Sequence, residues 1–281
     1  MPLTAVQKTL SAQFVQMTAT NDKVAQKFLK NANWKLDVAA DAYFSSNPSM
    51  ATSSSSKPKL DKMFSDLQDT QEDSPDELGA GSAIEYASSL GVDPESVGIF
   101  VLMELVKAPA FGVITRSGFI EGWQATNAPA SKSGQKDYIQ SLIRNLPHDH
   151  ELFKRVYRHA FIAGRETPEQ RALPLENALV YWQCFFGSEM PHSKPWVAKS
   201  SQSGGTTDFL DLWTEYLKNN WSRTVSKDMW NQTLDFAVKS TADSTLSFWT
   251  PEGSWPSVID GFVEWLRSKG IGVASGMEVD S

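Results

Sequence analysis

The chain has 281 residues, of which 41% are hydrophobic and ten are tryptophan, enough apolar material for a sizeable core spread over about two domains. Its 26 basic and 33 acidic side chains leave a net charge of -7, which argues against a broad nucleic-acid footprint and favours partners with a basic surface. No stretch reaches membrane-spanning length, the N-terminus lacks the apolar core of a signal peptide, and one cysteine, Cys184, excludes an internal disulfide, so a soluble protein of the cytoplasm and nucleus is expected.

The first fifty residues read as three short helices. Their apolar faces are Val6, Leu10, Phe14, Val15 and Met17, then Val24, Ala25, Phe28 and Leu29, then Trp34 through Phe44. Asn21 and Asn33 are candidate caps for the second and third. Residues 48–59, serine-rich and poor in apolar side chains, are expected as a flexible linker, because such a segment cannot offset the entropy lost on ordering.

Helical periodicity resumes at Leu60, Met63, Phe64 and Leu67. An acidic turn, DTQEDSPDELG, follows, then a helix from Ser82 to Leu90 and a dense apolar one from Pro94 to Lys107 with Asp93 as cap. With Asp69 at the first position of a calcium loop, Ser74 stands where glycine is required and Ala80 where the bidentate glutamate must be, so calcium is not expected. Residues 111–115 read as a small strand, after which Thr115 starts another helix. Helices are then expected from Tyr138 to Leu146, from His150 to Ile162 and over the almost wholly apolar Leu175 to Phe186. Residues 187–206 read as an irregular polar loop, 209–221 as a helix and 271–281 as a frayed tail.

The stretch from Val225 to Gly270 carries two amphipathic helices. In the first, Ser226 is the cap, with Val225 and Trp230 at the spacing of a hydrophobic staple. Pro256 opens the second, Val258, Ile259, Phe262, Val263 and Leu266 form its inner face, and Gly270 stops it. Asp228, Ser254 and Asp260 lie off both apolar stripes, near helix starts. On these grounds alone the carboxylates could simply complement the helix macrodipoles, each worth roughly 0.3–1 kcal/mol.

Catalytic motifs are missing. Cys184 sits between Trp182 and Phe185 on an apolar helix, where a thiol is inert, and the four histidines have no zinc-site spacing. There is no nucleophile elbow and no phosphate-binding loop. No cofactor or metal is implied.

The phrases KDMWN, LDF, EGSWP and VIDGFVEW resemble the C-terminal half of the defective-in-cullin-neddylation family, and NWKLDVAADAYF resembles the third helix of the ubiquitin-associated (UBA) domain that this family often carries. The resemblance implies an all-α protein: a UBA-like bundle over residues 1–47, a linker over 48–59, and over 60–270 a potentiating-neddylation domain of paired EF-hand-like units without calcium ligands. It implies a scaffold that performs no covalent step itself and promotes transfer of a ubiquitin-like modifier onto a cullin. In that family an acidic patch grips the basic winged-helix end of a cullin, and its members match Asp228, Ser254 and Asp260 here, with Ser254 in place of the usual alanine.

A groove for the acetylated N-terminal methionine of the conjugating enzyme would fall on Ala83, Ile99, Leu102, Phe111, Ala163 and Cys184, residues that could equally be ordinary core. Acetylation suits burial there because it removes the terminal charge. The cullin-associated RING subunit would be a further partner. Ubiquitin would meet Met17, Thr18, Ala19, Tyr43 and Phe44, unless these side chains only close the small core. A plain ubiquitin-binding adaptor is the alternative reading.

Overall fold

In the computed structural model, residues 4–18, 20–46, 48–165, 167, 169–199 and 205–272 are described. Helices α1 (Ala5–Thr18), α2 (Asp22–Asn31) and α3 (Leu36–Ser46) form the N-terminal bundle. Asn21 caps α2, its side chain accepting from the Val24 N–H. Asn33, expected as a cap for α3, lies in the turn three residues before that helix: it and Trp34 adopt positive φ, a region that asparagine tolerates better than most residues. The bundle has its own core, with Phe14, Ala25, Leu29, Ala39 and Tyr43 buried. Val6 and Met17, expected inside, are exposed.

Helix α4 (Pro48–Leu67) runs through the segment expected as a linker. Serine costs only a few tenths of a kcal/mol per position in a helix, and Pro48 occupies the first position, where a missing N–H is harmless. Only Pro58 interrupts the hydrogen-bond ladder.

The larger part of the chain is built from paired helix–loop–helix units. In the first pair, α4 leads through strand β1 (Glu77–Leu78) to α5 (Ala80–Ser89), and α6 (Gly98–Leu105) leads through β2 (Ile114–Thr115) to α7 (Arg116–Gln124). The two strands are antiparallel, with Leu78 opposite Ile114, so the short strand read at 111–115 does join two units. Helix α6 starts later than its apolar run suggests, because Asp93 to Ser96 form a turn in which the Asp93 carboxylate accepts from the Glu95 N–H and Ser96 bonds back to the Asp93 carbonyl.

Helix α8 (Lys132–Asn145) connects to the second pair. There α9 (His150–Ala163), β3 (Ala172–Leu173) and α10 (Leu175–Phe186) face α11 (Phe209–Asn220), β6 (Val225–Ser226) and α12 (Lys227–Ala242), with Leu173 opposite Val225. Between α10 and α11 the expected irregular loop contains an antiparallel pair, β4 (Val197–Lys199) and β5 (Thr206–Asp208), while residues 200–204 lie outside the described set. Buried Trp196 and Ala198 anchor this pair to the core. Helix α13 (Ser257–Ser268) ends the described fold, and Gly270 after it has φ of +74°, the left-handed value that glycine accepts freely. Residues 273–281 of the expected tail are outside the described set.

An aromatic centre ties the second pair together. Tyr157 of α9 stacks on Trp230 of α12 with centroids 4.4 Å apart, and Trp182 of α10 stacks on the same indole at 5.3 Å. The Trp182 N–H donates to the Tyr157 hydroxyl at 2.7 Å, which donates to the Trp230 carbonyl at 2.9 Å. In return, the Trp230 N–H donates to the Tyr157 carbonyl at 2.9 Å. Every polar atom of this buried set is satisfied, as a low-dielectric interior demands.

Candidate functional site: the start of the last two helices

Helix α12 begins at a cap: the Ser226 hydroxyl accepts from the Met229 N–H at 3.1 Å, and the flanking Val225 and Trp230 are both fully buried. This fixes the first turn and leaves Asp228 exposed on it. Asp228, Gln232 and Asp235 follow at i, i+4 and i+7, the spacing of one helix face. Gln232 and Asp235 line a shallow depression of about 440 Å³ together with His150, Val238, Lys239, Ser254 and Trp255. Ser254 is therefore brought against the face that Asp228 begins.

Asp260 stands in the first turn of α13. Its carboxylate accepts from the Trp249 indole N–H at 2.9 Å, and Trp249 is itself buried beneath Arg267, whose guanidinium lies 4.6 Å from the ring centre. The carboxylate is held in one orientation, and the residue stays partly exposed. Trp249 was not singled out in the sequence, and no periodicity could have identified it because it sits in the loop between the two helices.

The groove residues divide. Ala83, Ile99, Leu102 and Ala163 are core, each 5% exposed or less, so as placed here they are interior side chains rather than an open slot. Phe111 is 41% exposed, and its ring lies parallel to Tyr181 at 6.3 Å and edge-on to Phe100 at 6.1 Å. This aromatic set was missed as a unit, although Tyr181 stands in the stretch read as central. Cys184 is buried and directs its thiol at the Glu95 carbonyl, 3.6 Å away. Burial, with the Asp93 and Glu95 carboxylates adding, pushes its pKa up to about 11, so it is a neutral thiol at physiological pH.

In the N-terminal bundle Tyr43 is 4% exposed, its ring edge-on to Phe14 and Phe28, and Thr18 is buried with its hydroxyl donating to the Phe14 carbonyl. Of the two readings left open for them, a ubiquitin surface or closure of the small core, their burial fits the second. Met17 is exposed, while Ala19 and the side chain of Phe44 lie outside the described residues.

In the acidic turn before α5, the Asp73 carboxylate accepts from the Gly79 N–H at 2.7 Å and the Asp69 N–H at 2.9 Å. Burial raises this carboxyl, but the bonds from Gly79, Ser82 and Asp69 outweigh it and hold the group below its ordinary value. Its oxygens are thus engaged by the loop's own backbone. Among the described residues no group of three or more histidine, cysteine or carboxylate side chains is arranged to hold a metal, and no helix is long and apolar enough to cross a membrane.

A family model described as "Cullin binding" matches residues 134–265, a span that contains Asp228, Ser254 and Asp260, and one described as "UBA-like domain" matches residues 8–49. The chain is 97% identical to "Defective in cullin neddylation protein 1" of Pyricularia oryzae over the whole of both chains. It is 28% identical to the protein of that name from Mycosarcoma maydis, covering 94% of this chain and 95% of the relative. "DCN1-like protein 5" of Homo sapiens is 26% identical over 69% of this chain and 73% of its own length.

Proposed function

The chain belongs to the defective-in-cullin-neddylation family, and from that premise we propose that it promotes neddylation of cullins by holding a cullin against the charged conjugating enzyme. Cullin binding falls to Asp228, Ser254 and Asp260, and one observation supports this assignment: the span matched by the cullin-binding model includes two helix starts, one with an exposed Asp228 on a capped first turn and one with a partly exposed Asp260 held by the Trp249 indole. Lysines and arginines on the basic winged-helix end of a cullin are the complementary chemistry.

The acetylated N-terminus of the conjugating enzyme is assigned to the aromatic set around Phe111, where Ala83, Ile99, Leu102, Ala163 and Cys184 supply the supporting packing. Because those side chains are interior in the free chain, seating a methionine between them requires α6 and α10 to part slightly. The RING subunit on the cullin would complete the assembly. On this reading the protein performs no covalent step, which fits the buried, neutral thiol of Cys184. Converting a collision into an oriented encounter can by itself supply several kcal/mol, on the order of 7 kcal/mol in well-aligned cases.

The reading is tested by a reconstituted modification assay containing cullin, RING subunit and charged conjugating enzyme. Adding this protein should raise the rate of modifier transfer, Asp260→Lys should remove the increase, and Cys184→Ala should retain it. An increase lost with Cys184→Ala in a folded variant would instead indicate covalent catalysis.

A further inference from the structure

The depression beside Ser254 contains a carboxylate whose partner is absent. Asp235 is exposed on α12 and makes no ion pair among the described residues. Lys239 stands one turn further on, at the i+4 spacing where an aspartate–lysine pair would ordinarily close. Its ammonium is diverted: it lies 5.0 Å from the centre of the Trp255 ring and 5.6 Å from that of Phe248, a cation–π seat between two aromatics. Asp235 is thereby left without an ion pair in a depression whose apolar lining is Val238, 36% exposed, and Trp255, and which His150, Gln232, Lys239 and Ser254 also line.

A carboxylate at the edge of an open apolar surface suits a long cationic side chain, which can lay its methylenes along the surface and present its charge to the acid. Asp235 also continues the face begun by Asp228, and Ser254 lines the same depression. We infer that this depression receives one lysine or arginine side chain of the bound cullin, its stem over Val238 and Trp255 and its head on Asp235, so that Asp235 is a fourth member of the cullin-binding surface. The inference rests on the cullin-binding assignment made above. It also gives Ser254 a role that an alanine could not fill, since its hydroxyl can accept a second hydrogen bond from the same head group.

The test is a calorimetric titration of the full chain with the winged-helix fragment of a cullin, at low and at high salt. Asp235→Asn should weaken binding about tenfold and flatten its salt dependence, Asp235→Lys should weaken it further, and Asp235→Glu should restore most of the loss. Melting temperatures of the three variants should match the parent, because Asp235 is exposed and makes no ion pair among the described residues. Parental affinity in Asp235→Asn and Asp235→Lys, with binding lost in Asp260→Lys, would overturn the inference and leave the cullin-binding assignment intact. Parental affinity in Asp260→Lys would remove both.

Discussion

Tyr157 is the residue on which the second half of the fold converges, since its hydroxyl joins three helices through Trp182 and Trp230. Replacing it with phenylalanine keeps the stacking, leaves the buried Trp182 indole N–H without a partner and strips the Trp230 carbonyl of its second hydrogen bond. Tyr157→Phe should therefore lower unfolding free energy by about 3 kcal/mol in a denaturant titration, and a loss below about 1 kcal/mol would show that the hydroxyl is dispensable. This network is illegible in sequence, because the spacing of Tyr157 predicts an inward side chain but nothing about which atoms its hydroxyl meets. The same blindness explains Tyr43: an aromatic near the end of a helix looks alike whether it closes a core or greets a ligand, and only the rings of Phe14 and Phe28 around it decide. The positions of Asp228 and Asp260 near helix starts and off the apolar stripes were legible from capping and spacing, while a binding role for them followed only from the family resemblance. Asp235 was within reach of the same reasoning at i+7, but its lack of a partner depends on where Lys239 goes, which is a tertiary fact.

At the scale of elements, helices bounded by strong local signals were readable to the residue. Leu175–Phe186 lies between Pro174 and Gly187, and α12 starts at the serine that caps it. Elements defined by pairing rather than period were not, so the three-residue strands β4 and β5 passed as loop. The placement of Asp260 depends on a contact of this kind. Gly261, the next residue, lets α13 pass so close to α11 that an added Cβ would collide with the Tyr216 hydroxyl. Gly261→Ala should gain about 1 kcal/mol of helix propensity yet be destabilised overall by about 1–2 kcal/mol, and adding Tyr216→Phe should recover part of the loss. A Gly261→Ala protein more stable than the parent would mean that the two helices can separate without cost.

For the whole molecule, the buried Glu104 and the half-buried His159 both lower stability on acidification. Burial raises the Glu104 carboxyl, but hydrogen bonds and charge from Lys107 and Arg155 outweigh it and hold it below its ordinary 4.5. His159 is held below its ordinary 6.5, chiefly by burial. For both, the unfolded chain binds the proton more tightly, so their stabilisation is complete above those ordinary values and is lost as pH falls through the folded ones. The thermal midpoint should thus drop on acidification in two stages, the first beginning below 6.5 and the second below 4.5. Glu104→Gln should blunt the second; an unchanged acid limb would show that other carboxylates govern it.

The architecture that these residues hold together, a small N-terminal bundle with its own core and a larger body of paired helix–loop–helix units, seats the first turns of α12 and α13 on one shared core at the C-terminal end of the chain. Whether that end grips a cullin is best read from the affinity of its winged-helix fragment for the parent protein and for Asp260→Lys. Saturable binding to the parent, weakened at least a hundredfold by the reversal with the melting temperature preserved, is the predicted result, since a like charge facing a basic partner costs several kcal/mol. Equal affinity for the two proteins would contradict the account.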